Sequence, residues 1–405
     1  MLSKIFQRAE KYDPVHPRDP GLSKLFGGLF SNTSSGVSVT PENSLSITAV
    51  YAAVKIISES VSMLPWSVFN IDGNTRTLAN ADPRHWLLHR KPNRFQNTIE
   101  YRQLMMTYLL LKGRAVSEII INKSGVVTDL IPLHPDHITV FRAPDGRLAY
   151  SHRPPEGKSR VLLQDEVVDV RGISYDGVRC LSPIEANAEA LGVGKASEIY
   201  AAKYFGNGTV VSGVLETDTE MTDTTYKRLK EWTERHQGVA RSHNPAILEG
   251  GLKWKSISIN PEDAQLLETR SHSVEDVARI FRIPAYKLQR MDSVKFNTTE
   301  QQAIDFNTDT LTPNIKTLEL AHDMVLFSEK EQRKLVSTIS LLDLNGADSK
   351  TRVEYYRGMF NMGSMSPNEI RASEGMNPIK DGDKYYIQVN QTTTDSLGGK
   401  NDSKE

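Results

Sequence analysis

Apolar residues recur at helical spacing along several stretches of the chain, and the cleanest stripe runs through Ile47, Val50, Val54, Ile57, Val61 and Leu64. Steps of three and four residues put these side chains on one face, so 46–64 is predicted as an amphipathic helix that Pro65 ends. A strand over 66–71 and a DGN turn follow. Residues 98–112 predict a buried helix, 114–122 a strand, and Lys123-Ser124-Gly125 a turn into another strand that runs to Pro132. Shorter strands are predicted at 137–142, 147–151 and 167–170, punctuated by APDG and RPPEG turns. Helical and strand periods mixed in this way predict an α+β body over 40–182.

The second half changes character. Pro183 opens a helix expected to reach about residue 205, where the GNG at 206–208 breaks it. A small unit follows, with a strand at 210–215, a helix at 222–236 and a hairpin turning at Gly250-Gly251. A second long helix, 261–283, has both ends chemically specified. Asn260 can cap it, Pro261 suits its first position, Glu262 and Asp263 favour its positive end, and Arg279 and Arg282 its negative end. Its packing stripe is Leu267, Ser271, Val274, Val277, Ala278 and Phe281, with Glu268, His272, Glu275, Asp276 and Arg279 largely away from it. At 1.5 Å per residue each long helix spans roughly 30–35 Å, enough for a stalk that carries the inserted unit at its tip. Beyond Pro284 lies a polar, basic loop, 285–298, then a helix over 300–326 with a kink expected at Pro313. Two short helices, 351–361 and 367–374, are joined by GSMS. Residues 1–39 are expected to form a flexible arm and 391–405 a disordered tail.

Charge narrows the function classes. With 49 basic and 50 acidic residues the formal net charge is −1, which disfavours a tight sequence-specific DNA binder. Cys180 is the only cysteine, so no intramolecular disulfide and no multi-cysteine metal site can form within one chain. The longest apolar run, 104–111, is far short of the roughly 20 residues of a membrane span. The start, MLSKIFQRAEKYDP, is too interrupted for a signal peptide.

Motifs that imitate catalytic chemistry each fail on a residue. Gly192-Val193-Gly194-Lys195 has Glu189 where a P-loop needs glycine and Ala196 where it needs Ser or Thr, so it reads as small residues allowing close helix packing. Gly206-Asn207-Gly208 reads as a helix C-terminal turn. His85 and His89 lie one helical turn apart but have no third ligand, and His134 to His137 reads as a turn. Asp165, Glu166 and Asp169 resemble a nuclease cluster, yet alternation with Val167, Val168 and Val170 assigns them to the entry and exposed face of a strand. No Gly-x-Ser-x-Gly elbow appears. An enzyme is not expected, and neither a cofactor nor a metal is assigned.

Taken together in order and spacing, VYAAVKIISESVSMLPW, YLLLKGRAVSEI, LIPLHPDHITV, GVRCLSPIEANAEALG, LEGGLKW, PEDAQLLETR, VARIFRIP, TTEQQAIDF and LDLNGADSKTRVEYYRGMFNMGSMSPNEIRASEGMNPI resemble the portal protein family of tailed bacteriophages. The resemblance covers roughly residues 40–390. It implies an α+β portal fold assembled as a ring, usually of twelve copies, at one vertex of the head, through which double-stranded DNA is packaged and ejected. It divides the chain into a wing (40–182 and 327–365), stem helices (183–206 and 261–284), a clip (207–260), a tunnel loop (285–298), a channel helix (299–326) and a short helical crown (366–390). Lys287, Arg290 and Lys295 are then the DNA-facing candidates on the tunnel loop, contacting the duplex without regard to sequence. Lys227, Lys230, Glu231, Glu234 and Arg235 form the candidate docking face of the clip. The implied partners are further copies of the chain, the terminase large subunit, the head–tail adaptor, and the major capsid and scaffold proteins, with no membrane. The implied location is the virion, after synthesis in the bacterial cytoplasm from a phage or prophage gene. An adaptor or minor head protein would also lack catalysis but would not need the helix, inserted unit, helix, loop, helix order. A DNA translocase or nuclease would need a nucleotide or metal site.

Overall fold

The computed structural model describes residues 33–73, 75–206, 213–216, 223–224, 227, 253–256, 262–288, 304–341, 349–374 and 376–386. The chain divides into two units, Met1–Ile339 and Ser340–Glu405.

In the first unit a short helix, α1 (Pro41–Ser44), precedes α2 (Thr48–Met63). Val50, Ala53, Val54, Ile57 and Val61 of α2 are each at most 4% exposed, so the predicted stripe is the packing face. β1 (Trp66–Asp72) and β2 (Thr75–Leu78) form a hairpin, followed by α3 (Pro83–His89) and α4 (Thr98–Lys112). α4 has the predicted bounds because both ends are locally encoded. Asn97 N–H donates to Glu100 Oε2 at 2.9 Å and Glu100 N–H returns to Asn97 Oδ1 at 3.0 Å. At the other end Gly113 has φ +72°, and a Cβ there would lie 2.0 Å from the Leu181 carbonyl oxygen.

β3 (Arg114–Ile121), β4 (Val127–Leu133), β5 (Ile138–Arg142), β6 (Leu148–His152), β7 (Arg160–Leu163) and β8 (Val167–Arg171) form two antiparallel sheets, β4-β3-β8 and β5-β6-β7. Val116, Leu133, Tyr150, Leu162 and Val167 form a shared core cluster between them. β7 was not anticipated: its four residues are too few to show alternation, and pairing with β6 defines it. Asp169 also corrects the sequence reading. Its side chain is only 8% exposed, paired with Arg114 at 2.9 Å and accepting the Tyr150 hydroxyl at 2.8 Å, rather than lying on an open strand face. The reason is tertiary, since the helix Thr312–Leu326 packs against β8.

α5 (Pro183–Ala186) and α6 (Ala188–Gly206) replace the single helix predicted from Pro183. Asn187 interrupts it with φ −118° and ψ 23°, its side-chain amide donating to the Pro183 carbonyl at 2.8 Å. β9 (Gly213–Glu216) and β10 (Lys253–Ser256) pair antiparallel, Trp254 opposite Leu215, and α7 (Glu262–Phe281) follows. Helical residues at 223–224 and 227 fall in the predicted helix 222–236, whose remaining residues lie outside the described ones, as does the turn at Gly250-Gly251.

A π-helical segment, Phe306–Leu311, leads into α8 (Thr312–Leu326), and β11 (Leu335–Ile339) completes the sheet β11-β1-β2. The free edge of β11 is capped by α8. Glu319 Oε1 accepts the Ile339 N–H at 2.5 Å and Asp323 accepts the Ser337 N–H at 3.2 Å. In the second unit α9 (Ser349–Asn361) and α10 (Pro367–Ser373) are linked through Ser366, which caps α10. Asn368 then holds the chain beyond α10 through Ile379 and Asp383, with donor distances of 3.0 and 2.9 Å.

Candidate functional site

The candidate site begins where α7 ends. Arg282 takes the left-handed conformation at φ 53°, and the Ile283 N–H reaches back to the Ala278 carbonyl at 2.9 Å, closing the helix before Pro284. A non-glycine residue in this region costs on the order of 1 kcal/mol and persists because its surroundings hold it. Here the Arg282 carbonyl accepts the Thr310 hydroxyl from the π segment. A single 3₁₀ turn, Ala285–Leu288, follows, with the Lys287 N–H donating to the Pro284 carbonyl at 2.9 Å. Lys287 is half-buried, its Nζ 5.0 Å from the Phe306 ring centroid and 5.6 Å from that of Tyr286. Arg290 and Lys295 lie outside the described residues.

On the far side of residues 289–303 the irregularity expected at Pro313 takes the form of a π segment just before it, Phe306–Leu311. Proline has no N–H for the Asp309 carbonyl, which an α-helix would require. The chain widens instead: the Thr312 N–H donates to Asn307 O, and the Thr312 hydroxyl joins it at 2.8 Å. The Asn314 amide meets the Thr310 carbonyl at 2.7 Å, so side chains supply donors around the irregular turn. The pattern Thr310, Thr312, Pro313, Asn314, with hydrogen-bonding side chains around an interior proline, was the available sequence signal for this turn. Phe306, Thr310 and Leu311 are each at most 4% exposed, so the segment is packed despite its irregularity.

Helices α6 and α7 pack against each other. A Cβ on Gly194 would come within 2.1 Å of Ser273 Oγ on α7, and one on Gly192 within 2.8 Å of the Thr33 side chain. The GVGK string is therefore a packing surface of α6. On the predicted docking face, Lys227 is helical and exposed, while Lys230, Glu231, Glu234 and Arg235 lie outside the described residues.

The metal-like decoys resolve into structural roles. His85 and His89 stack at 5.1 Å, and both commit a ring nitrogen to β1: His85 Nδ1 accepts the Val68 N–H at 3.2 Å and His89 Nδ1 donates to Trp66 O at 3.1 Å. Partial burial, then the neighbouring His89, lowers the pKa of His85. His134 Nδ1 accepts the Asp136 N–H at 3.3 Å within a turn. Among the described residues no group of three His, Cys, Asp or Glu side chains is placed to hold a metal, and no helix is long and apolar enough to cross a membrane.

Two paired helices, α6 and α7, an antiparallel β ribbon, an α+β body and a π-interrupted helix make up the described fold. A chain from the neck of an empty GTA particle, computed with C6 symmetry, shares this fold with a TM-score of 0.61 and 23% identity, covering 90% of this chain and 95% of that one. The family described as Phage portal protein matches residues 48–375, and the chain belongs to that family. It is 29% identical to the probable portal protein of Streptomyces phage phiC31, covering 92% of this chain and 84% of that protein. It is 26% identical to the portal protein of Enterobacteria phage HK97, covering 89% and 86%. Its general role is that of a portal protein in phage DNA packaging.

Proposed function

We propose that copies of this chain close into a ring, dodecameric as the family resemblance implies, at one vertex of a phage head, and that double-stranded DNA passes through it during packaging and ejection. The observation that carries this reading is the stalk: α6 and α7 pack closely through Gly194 and flank the β9–β10 ribbon in sequence, with the 285–298 segment beginning just after α7. Lys287, Arg290 and Lys295 would contribute a belt of positive charge around the channel, each multiplied by the number of subunits. Contacts to phosphate are independent of sequence and weaken with salt, which suits a duplex that must keep moving.

The clip, with Lys227, Lys230, Glu231, Glu234 and Arg235, docks the terminase large subunit during packaging and the head–tail adaptor afterwards. Residues 366–390 form a short crown inside the head, and the ring nucleates assembly with major capsid and scaffold proteins. The motor supplies ATP hydrolysis, since the GVGK string of this chain is used for helix packing. Native mass spectrometry and negative-stain electron microscopy of the full chain, alone and co-expressed with capsid and scaffold proteins, test the reading. Closed rings of about a dozen copies with a central hole are expected; a monomer under both conditions overturns it.

A further inference from the structure

We propose that Lys287 is a positioning residue: through the Phe306 ring it ties together the two roots of the 289–303 segment instead of contacting DNA phosphate itself. This rests on reading that segment as the DNA-facing loop and divides labour within the basic set, leaving phosphate contact to Arg290 and Lys295.

The two roots are linked twice. Lys287, on the 3₁₀ turn before the segment, has its Nζ 5.0 Å from the Phe306 centroid, inside the roughly 6 Å over which a cation feels a ring quadrupole. Phe306 is 4% exposed, so the ring is a fixed target, and Tyr286 offers a second face at 5.6 Å. One helical turn beyond Phe306, the Thr310 hydroxyl donates to the carbonyl of Arg282. α2 touches both the 3₁₀ turn and the π segment, giving the two links a common platform. Among the described residues no carboxylate forms an ion pair with Lys287. An ammonium drawn to ring faces is directed into the protein, and reaching a phosphate would require it to leave them. Fixing both roots also removes part of the conformational freedom of whatever chain lies between them.

The test is amide hydrogen exchange on the full-length assembled chain, read at Ile283 and position 287, whose N–H groups close onto Ala278 and Pro284. Lys287→Met and Phe306→Leu should each speed exchange there roughly three- to five-fold. The double variant should add little, because both changes remove one contact. Lys287→Arg should restore protection. Amides of β3 serve as the folding control; if Phe306→Leu also loosens them, the Met and Arg variants at 287 decide alone. Unchanged exchange at 283 and 287 in Lys287→Met overturns the proposal. So does a fall of about one in the salt slope of duplex binding for Lys287→Met with none for Phe306→Leu, the signature of a direct phosphate contact. The DNA-facing reading fails separately, if Arg290→Ala with Lys295→Ala leaves duplex binding and its salt slope unchanged.

Discussion

The two ends of α8 are held by different chemistry. Its C-terminal half is tied into the core by charged and aromatic groups: Glu319 and Asp323 cap β11, and His322 donates from Nδ1 to Leu318 O at 2.7 Å while Nε2 meets the Tyr101 hydroxyl at 2.9 Å. His322 also sits edge-on to Trp66, with centroids 4.7 Å apart. The N-terminal lead-in is held by hydroxyl and amide side chains and one cation–π contact. Charge-assisted hydrogen bonds are roughly twice as strong as neutral ones, so one end is anchored and the other can yield. The yielding end is the one next to the candidate loop.

The largest effect that would sharpen this contrast is a pH effect at the anchored end. Burial lowers His322 to about 4 from 6.5, so the stability it contributes is complete above pH 6.5 and is lost as pH falls toward 4. Burial raises Asp323 to about 6 from 3.8, so its contribution is complete below 3.8 and is lost as pH rises through 6. The two oppose each other between pH 4 and 6. Asp323→Asn should expose the His322 slope, with stability dropping by on the order of 3 kcal/mol from pH 6.5 to 4 relative to the parent protein. Chemical denaturation across that range checks it, and parallel profiles for the two proteins would contradict it.

Next in size, Glu319→Ala removes the acceptor for the Ile339 N–H and the partner of Lys316, 2.6 Å away, and should cost about 2 kcal/mol in equilibrium unfolding. At the yielding end, Thr310→Val keeps the shape but deletes the hydroxyl donor to Arg282, and about 1 kcal/mol is expected. If Thr310→Val proves costlier than Glu319→Ala, the contrast between the two ends collapses. Smallest of all is Arg279→Ala on α7, whose pairs with Asp276 at 2.7 Å and Glu275 at 3.6 Å are exposed; under about 0.5 kcal/mol should be lost by thermal unfolding.

Much of the fold was legible because its signals are local. Asn97, Glu100 and Gly113 state the limits of α4 within a few residues of its ends, and the stripe of α2 states its buried face. Asp169 was not legible. Its burial depends on Arg114, 55 residues earlier, on Tyr150, and on a helix whose contact with β8 no local pattern announces. Asn187 was missed for the opposite reason: a short helix that ends and restarts within one run of helix-forming residues keeps the helical period. Of the candidate site, the basic turn after Pro284 could be read directly, but the pairing of Lys287 with Phe306 joins residues on either side of 289–303.

By itself, then, the sequence determined the limits of α4, the buried face of α2, the small-residue face of α6, the absence of a complete nucleotide motif and the run of motifs that resembles the portal family. These depend on caps, periodicity and spacing, which act over a few residues. Tertiary structure alone decided that Asp169 is buried, that Glu319 and Asp323 close a sheet edge, that two histidines one turn apart serve β1, and that Pro313 is accommodated by a π turn. Each of those outcomes is set by which distant backbone donor or ring comes within a few ångströms, and burial then fixes what a charge or a missing N–H must do.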